Sequence, residues 1–162
     1  MDFARTNSTP RRGPVVAVLM LLLVAAVLPG CRDDESGGVG ASVAVGEIDL
    51  TLVEFEVLET GTYSALANAN VRALVRAENV RGAGSAVYRF APFAAFRLDD
   101  DSGIGRGPAL CIGCDDAIDA VDLAPGAMIS GWLYFELEDG RTAAALRYSA
   151  PLSRNRAEFA LD

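Results

Sequence analysis

Two cysteines three positions apart, Cys111 and Cys114, are the residues of this sequence best placed to do chemistry. In an exported protein the two thiols are expected to be oxidised and paired with each other. A ring of four residues removes little entropy from the unfolded chain, worth about 2 kcal/mol, so the bridge would staple a local loop. Two alternatives stay open: a thiol–disulfide redox site, and half of a zinc site shared between two chains. The redox alternative normally needs a helix N-terminus to stabilise the thiolate, whereas two aspartates follow Cys114 here.

The chain has no histidine among its 162 residues, and all 14 basic residues are arginine. The lack of histidine excludes a Ser-His-Asp triad, a Cys-His dyad, histidine-ligated zinc or copper, and a c-type haem motif. No serine lies in a nucleophile elbow, and no glycine-rich phosphate loop follows a predicted strand. The sequence therefore predicts a protein that is not an enzyme and holds no cofactor.

Aspartates form two runs that could in principle bind calcium, at residues 99–101 and at residues 115–122. The first run fails the EF-hand spacing, because Gly103 occupies the fifth position and Leu110 the twelfth. A looser calcium site that joins the two runs would use Asp99, Asp101, Asp115 and Asp116. The plainer interpretation is that both runs are solvated acidic loops.

Aromatic residues alternate along residues 130–137, which read as a strand. We expect Leu133 and Phe135 to point into the core, which leaves Trp132 and Tyr134 on the outer face of the sheet. Exposed tryptophan and tyrosine are favoured anchors of binding surfaces. The candidate binding face comprises Trp132, Tyr134, Arg72 and Arg76. Alternatively, arginine stems of neighbouring strands cover the aromatic rings, or Trp132 belongs to the core.

The elements that position these residues are predominantly strands. Residues 62–80 show the clearest alternation, with Val71, Ala73 and Val75 on one face and arginines on the other. Turn signals separate the segments, including Leu123-Ala124-Pro125-Gly126 and Glu138-Asp139-Gly140. About seven short strands predict an all-β, antiparallel sandwich. Strands are expected at residues 47–57, 62–80, 86–98, 130–137, 142–149 and 157–161.

The first 30 residues have the features of an export signal. Arginines precede an uncharged run at residues 15–28, which as a helix spans about 21 Å and falls short of a bilayer core of about 30 Å. The run ends in Leu28-Pro29-Gly30-Cys31, which resembles a bacterial lipobox. The resemblance implies that Cys31 is lipidated and becomes the mature N-terminus, on the outer side of the cell membrane. An ordinary signal peptide with a chance cysteine, or an uncleaved anchor, are the alternatives.

Three regions follow: a lipoprotein signal peptide at 1–30, the lipidated cysteine and a flexible tether at 31–46, and one sandwich domain at 47–162. Glycine, serine and acidic residues dominate the tether, so we expect it to remain without order. Residues 1–30 carry three arginines and one aspartate, which leaves a formal net charge of −10 on the remainder. Such an acidic surface makes nucleic acid a poor partner, because like charges repel. Arg32 follows the cysteine, and the choice between inner and outer membrane stays open.

Four motifs across residues 47–149 resemble an immunoglobulin-like domain family of unknown function that is common in bacterial secreted proteins and lipoproteins. They are Glu78-Asn79 at the end of an alternating strand, a hairpin over Phe96–Gly103, the turn Leu123–Gly126, and the strand Gly131–Leu137. Residues 104–118, with the two cysteines, depart from the family pattern. The resemblance implies an immunoglobulin-like sandwich, no enzymatic activity and no catalytic residues.

These observations predict a lipid-anchored, extracytoplasmic binding module that contacts the membrane through its lipid and a protein or glycan partner through its surface. Two alternatives come from other classes of protein. One is an envelope thiol–disulfide protein that uses Cys111 and Cys114. The other is a structural envelope domain that calcium stabilises.

Overall fold

The computed structural model describes residues 34–58, 70–111, 113–151 and 154–161. Its elements, in chain order, are β1 (Asp34–Gly37), β2 (Ser42–Val45), β3 (Ile48–Val57), β4 (Val71–Asn79), β5 (Tyr88–Phe90), α1 (Pro92–Ala95), β6 (Phe96–Asp100), β7 (Gly105–Arg106), β8 (Val121–Leu123), β9 (Met128–Phe135), β10 (Ala143–Ser149) and β11 (Arg156–Ala160). The predicted signal peptide, Cys31 and residues 62–69 of the second predicted strand lie outside the described residues.

Four strands form one sheet in the order β2-β3-β4-β9, with antiparallel pairing throughout. Apolar residues at alternate positions turn to one side of this sheet, as the sequence pattern predicts. Leu50, Val75 and Leu133 are each about 1% exposed and lie on the inner side. The register places Leu50 opposite Ala77, and Val75 opposite Gly131.

A second sheet contains five strands in the order β1-β11-β10-β6-β7. Its pairs are antiparallel except for β1 and β11, which run parallel. Phe96, Tyr148 and Phe159 are at most 1% exposed and supply the aromatic part of the core. A small third sheet pairs β5 with β8. The prediction of an immunoglobulin-like, antiparallel β-sandwich is therefore confirmed.

The flexible tether predicted for residues 32–46 is wrong over the part that the structure describes. Residues 34–37 pair with β11, and residues 42–45 pair with β3. Val43 and Val45 are 3% and 2% exposed, so their burial offsets the entropy lost by ordering this glycine-rich stretch. Position 40 is a turn glycine with φ of 85°, which lets the chain pass from the first sheet edge to the second.

The predicted strand over residues 86–98 is interrupted. β5 ends at Phe90, and the short helix Pro92–Ala95 follows, with proline near its start, where a missing N–H costs nothing. β6 then continues through Asp99 and Asp100, which the sequence pattern had placed in the break after the strand. Within the described ranges, no helix has the length and apolar character needed to cross a membrane.

Candidate functional site

The free edge of β9 is occupied by a loop over residues 109–118, called the edge loop below. Ala109 donates its N–H to the carbonyl of Tyr134 at 2.7 Å, where the loop meets the strand. At the other end, Trp132 donates to the carbonyl of Asp116 at 2.8 Å, and Ile118 donates to the carbonyl of Trp132 at 2.9 Å. The edge loop therefore leaves β9 and returns to it two residues away, and its bridges satisfy an edge that would otherwise be open to other chains.

Ile118 fixes the returning end of the edge loop inside the sandwich. Its side chain is 2% exposed and belongs to the core. It packs against Gly131, where an added Cβ would lie 2.9 Å from the Cβ of Ile118. Only glycine lets β9 and the edge loop approach this closely. The sequence pattern did not single out Ile118, because a lone isoleucine among aspartates has no strand or helix period.

The predicted disulfide between Cys111 and Cys114 lies in the edge loop, between its two attachments to β9. The two Cα atoms are 5.6 Å apart, within the usual range for a bridge. Gly113 between them has φ of 87°, a conformation that favours glycine. Leu110, next to the bridge, is 70% exposed. The bridge therefore closes a small loop that presents an apolar side chain to solvent, in a segment where the structure describes no helix.

Tyr134 is not part of an exposed face, so that prediction is wrong. The ring is 1% exposed because the edge loop covers it. Its hydroxyl donates to Oδ1 of Asp116 at 2.8 Å. Alternation along β9 correctly separates Tyr134 from the core side, but alternation alone carries no information about a loop that covers the outer side.

Trp132 is half-buried under an arginine, as the second interpretation of the sequence proposed. The guanidinium carbon of Arg72 lies 3.9 Å from the ring centroid, in a cation–π contact. Arg72 also donates through Nε to Oε2 of Glu56 at 2.7 Å, and its Nη1 lies 3.6 Å from Oδ2 of Asp116. The hydrogen bond from Arg72 lowers the pKa of Glu56 below its usual value. Arg76, the fourth member of the predicted face, is exposed and donates to the hydroxyl of Thr51 at 3.3 Å.

The predicted calcium ligands are directed to other partners. Asp99 is buried and pairs with Arg147, and Asp101 lies 3.5 Å from Arg141. Asp116 accepts from Tyr134, while Asp115 is exposed. In the described part of the chain, no group of three or more histidine, cysteine or acidic residues could hold a metal ion. The structure thus does not bring the four aspartates together into a site.

Asn79 joins two of the sequence motifs, and its role was not predicted. The side chain is fully buried and donates through Nδ2 to the carbonyl of Leu123 at 2.9 Å. Its backbone carbonyl accepts from Gly126 at 2.7 Å, and its N–H donates to Ala127 at 3.0 Å. The end of β4 therefore holds the Leu-Ala-Pro-Gly turn that precedes β9, which positions the strand that carries Trp132.

Two solved structures share this fold. A secreted protein of Mycobacterium tuberculosis, MPT63, matches with a TM-score of 0.62 and 14% identity, over 79% of this chain and 98% of that chain. The yjhA protein of Bacillus subtilis matches with a TM-score of 0.58 and 18% identity, over 78% of this chain and 99% of that chain. No protein-family model matches the sequence, and neither does any curated protein. At such low identities the likeness shows the fold alone.

Proposed function

We propose that the protein is a non-catalytic, lipid-anchored binding module that acts outside the cytoplasm and recognises a protein partner of the envelope through its edge loop. One observation carries the proposal. The edge loop is tied to β9 at both ends and cross-linked between them, yet Leu110 at its tip is 70% exposed. A rigid loop loses little conformational freedom on binding, so an apolar side chain held there is a favourable anchor for a partner.

Export and anchoring are supported by the sequence at the N-terminus and by the cysteine pair. The positive start, the uncharged run at residues 15–28 and the lipobox-like residues 28–31 are typical of bacterial lipoproteins. A disulfide between Cys111 and Cys114 is stable in an oxidising compartment. MPT63, which shares the fold, is described as a secreted protein.

The absence of catalysis is supported by the residues present. Without histidine the chain lacks the usual general base at neutral pH. Acidic side chains that could serve instead, such as Asp99 and Glu56, pair with arginines. Such ion pairs keep carboxylates ionised and occupied, which suits a surface that is built to be rigid.

Site-specific photo-cross-linking in cells that produce the full chain tests the edge loop. Benzoylphenylalanine at position 110 should give one discrete adduct with an envelope protein. The matched control is the same residue at position 87, because Val87 is also exposed, at 55%, and precedes β5 outside the edge loop. An equal adduct from both positions, or none from position 110, would contradict the proposal.

The anchor is tested separately. Mass spectrometry of the mature protein should find an N-terminal peptide that begins at Cys31 and carries acyl chains. Cys31→Ala should release the protein from the membrane fraction, because stable anchoring requires more than one chain. An unmodified Cys31 in a protein that still sediments with membranes would refute lipidation.

A further inference from the structure

The outer face of the five-stranded sheet carries three arginines in neighbouring rows. Arg97 of β6 is the register partner of Arg147 of β10, and Glu158 of β11 completes that row. In the next row, Ser149 is paired with Arg156. Register partners in antiparallel strands share a face, so these side chains stand together on the side opposite the buried ring of Tyr148.

Charge on this face is only partly neutralised. Arg147 donates through Nε to Glu158 at 2.8 Å and also pairs with the buried carboxylate of Asp99. These contacts raise the pKa of Arg147, with the hydrogen bond from Glu158 as the largest cause. Arg97 and Arg156 are exposed and form no ion pair with the described residues. The face therefore keeps positive charge in a chain whose formal net charge is −8.

Two arginines that face each other across strands destabilise a sheet unless anions compensate them. Asp99 and Glu158 compensate Arg147, and nothing in the described part of the chain does the same for Arg97 or Arg156. An open cleft of about 220 Å³ lies between β10 and β11 beside these groups. Its lining consists of Arg147, Tyr148, Ser149, Arg156, Ala157 and Glu158.

We propose that this cleft, called the arginine cleft here, binds an anionic sugar unit, either a uronate or a sugar phosphate. Arginine matches carboxylate and phosphate oxygens with paired N–H donors, so Arg156 supplies the charge recognition. Ser149 donates or accepts at the same rim, and the carboxylate of Glu158 accepts hydrogen bonds from sugar hydroxyls. Because Glu158 repels a ligand that is charge alone, the cleft favours an anion that also carries hydroxyl groups. This site is separate from the edge loop and goes beyond the function proposed above.

Nuclear magnetic resonance titration of the full chain in detergent micelles tests the proposal. The probes are glucuronate, glucose 1-phosphate, glucose and inorganic phosphate, which separate the carboxylate, the phosphate, the sugar and the bare anion. We expect glucuronate or glucose 1-phosphate to shift the backbone amides of residues 147–149 and 156–158, and to bind more tightly than glucose and inorganic phosphate. Whichever of the two binds more tightly identifies the anionic group.

Two variants and a matched control give the proposal its sharpest outcomes. Arg156→Gln should weaken the sugar anion at least about tenfold, the size of one lost charge-assisted contact. Arg89→Gln makes the same change in net charge at an exposed pair with Asp122 on another sheet, and should leave the affinity within about twofold. Glu158→Gln should strengthen inorganic phosphate and reduce the preference for the sugar anion. Equal losses in Arg156→Gln and Arg89→Gln, inorganic phosphate that binds as tightly as both sugar anions, or unshifted cleft amides would each overturn it.

Discussion

The hydroxyl of Tyr148 lies 2.8 Å from the hydroxyl of Tyr88, which ties β10 of the five-stranded sheet to β5 of the small sheet. Tyr148 is fully buried, and its ring stacks near Phe96, with centroids 5.0 Å apart. Burial, followed by the hydrogen bond with Tyr88, raises the pKa of Tyr148 far above the usual value of about 10. The neutral phenol is thus built into the core of the sandwich.

This buried phenol predicts alkaline instability. Above about pH 10 the unfolded chain releases the proton of this tyrosine while the folded chain keeps it, so the free energy of unfolding falls as pH rises. Below that pH the contribution is fully present. The melting temperature of wild type should therefore fall between about pH 9 and about pH 11 more steeply than that of Tyr148→Phe. Parallel profiles for the two proteins would show that Tyr148 is not the group responsible.

Asp100 predicts instability at the acid end. Its Oδ1 accepts from the hydroxyl and N–H of Ser102 at 2.6 and 2.9 Å, and from the N–H of Ile104 at 3.0 Å. These hydrogen bonds, with that from the Ser102 hydroxyl as the largest cause, lower the pKa of Asp100. A lowered pKa stabilises the fold above about pH 4 and loses that effect as pH falls through the folded value.

Asp100→Asn keeps the acceptor oxygen and removes the charge, so it isolates this effect. The variant should melt below wild type at neutral pH, and the difference should shrink below about pH 3. Asp139→Asn, at an exposed turn residue, is the matched control for net charge and should follow wild type throughout. A constant difference between Asp100→Asn and wild type at all pH values would contradict the assignment.

Replacement of Gly131 should detach the edge loop. Gly131→Ala places a Cβ against Ile118, so either the loop or the strand must shift, at a cost of about 1–3 kcal/mol in the free energy of unfolding. Denaturant titration measures the loss, and limited proteolysis should cut near residue 115. Gly107→Ala is the control, since no atom lies within 4 Å of its added Cβ. Equal stability of the two variants would refute the close packing.

Loss of the Asn79 side chain should loosen the turn before β9. Asn79→Ala leaves the carbonyl of Leu123 and the N–H of Arg81 without their partner, at about 1–3 kcal/mol for a buried unsatisfied group. Ser130→Ala removes one peripheral hydroxyl, which donates to Val75 at 3.2 Å, and should cost far less. Chemical denaturation of both variants provides the comparison. A loss for Asn79→Ala no greater than for Ser130→Ala would count against the proposed role of Asn79.

Removal of the disulfide should affect recognition more than stability. The Cys111→Ser, Cys114→Ser double variant should lose at most about 2 kcal/mol, because the ring holds only four residues. The adduct from position 110 should decline strongly, since the loop tip is then free to move. A variant that fails to fold would show that the bridge supports the whole domain, and an undiminished adduct would show that it does not order the tip.

Alternation in the sequence predicted the strands that form the middle of the sandwich. Residues such as Leu50, Val75 and Leu133 take the inner side as expected, because a period of two needs only local information. The turn at residues 123–126 followed from proline and glycine in the same local way. Local pattern was enough wherever a strand buries one face and exposes the other.

The misplaced features depend on contacts between distant parts of the chain. Tyr134 is covered by Asp116 and its neighbours, a contact that no period in the sequence encodes. Val43 and Val45 do alternate, but the surrounding glycine, serine and acidic residues made the average composition typical of a linker. Asp99 stays within β6 because Arg147 on the adjacent strand neutralises it. In each case the partner, rather than the residue itself, decides the outcome.

Pairing of β1 with β11 from Asp34 onward has a mechanical consequence for an acylated Cys31. Three residues then separate the anchored atom from the first strand, a leash of at most about 11 Å when fully stretched. A sandwich on so short a leash would ride against the lipid headgroups and could not swing outward. Any partner must therefore approach the bilayer itself, within the thickness of one small domain.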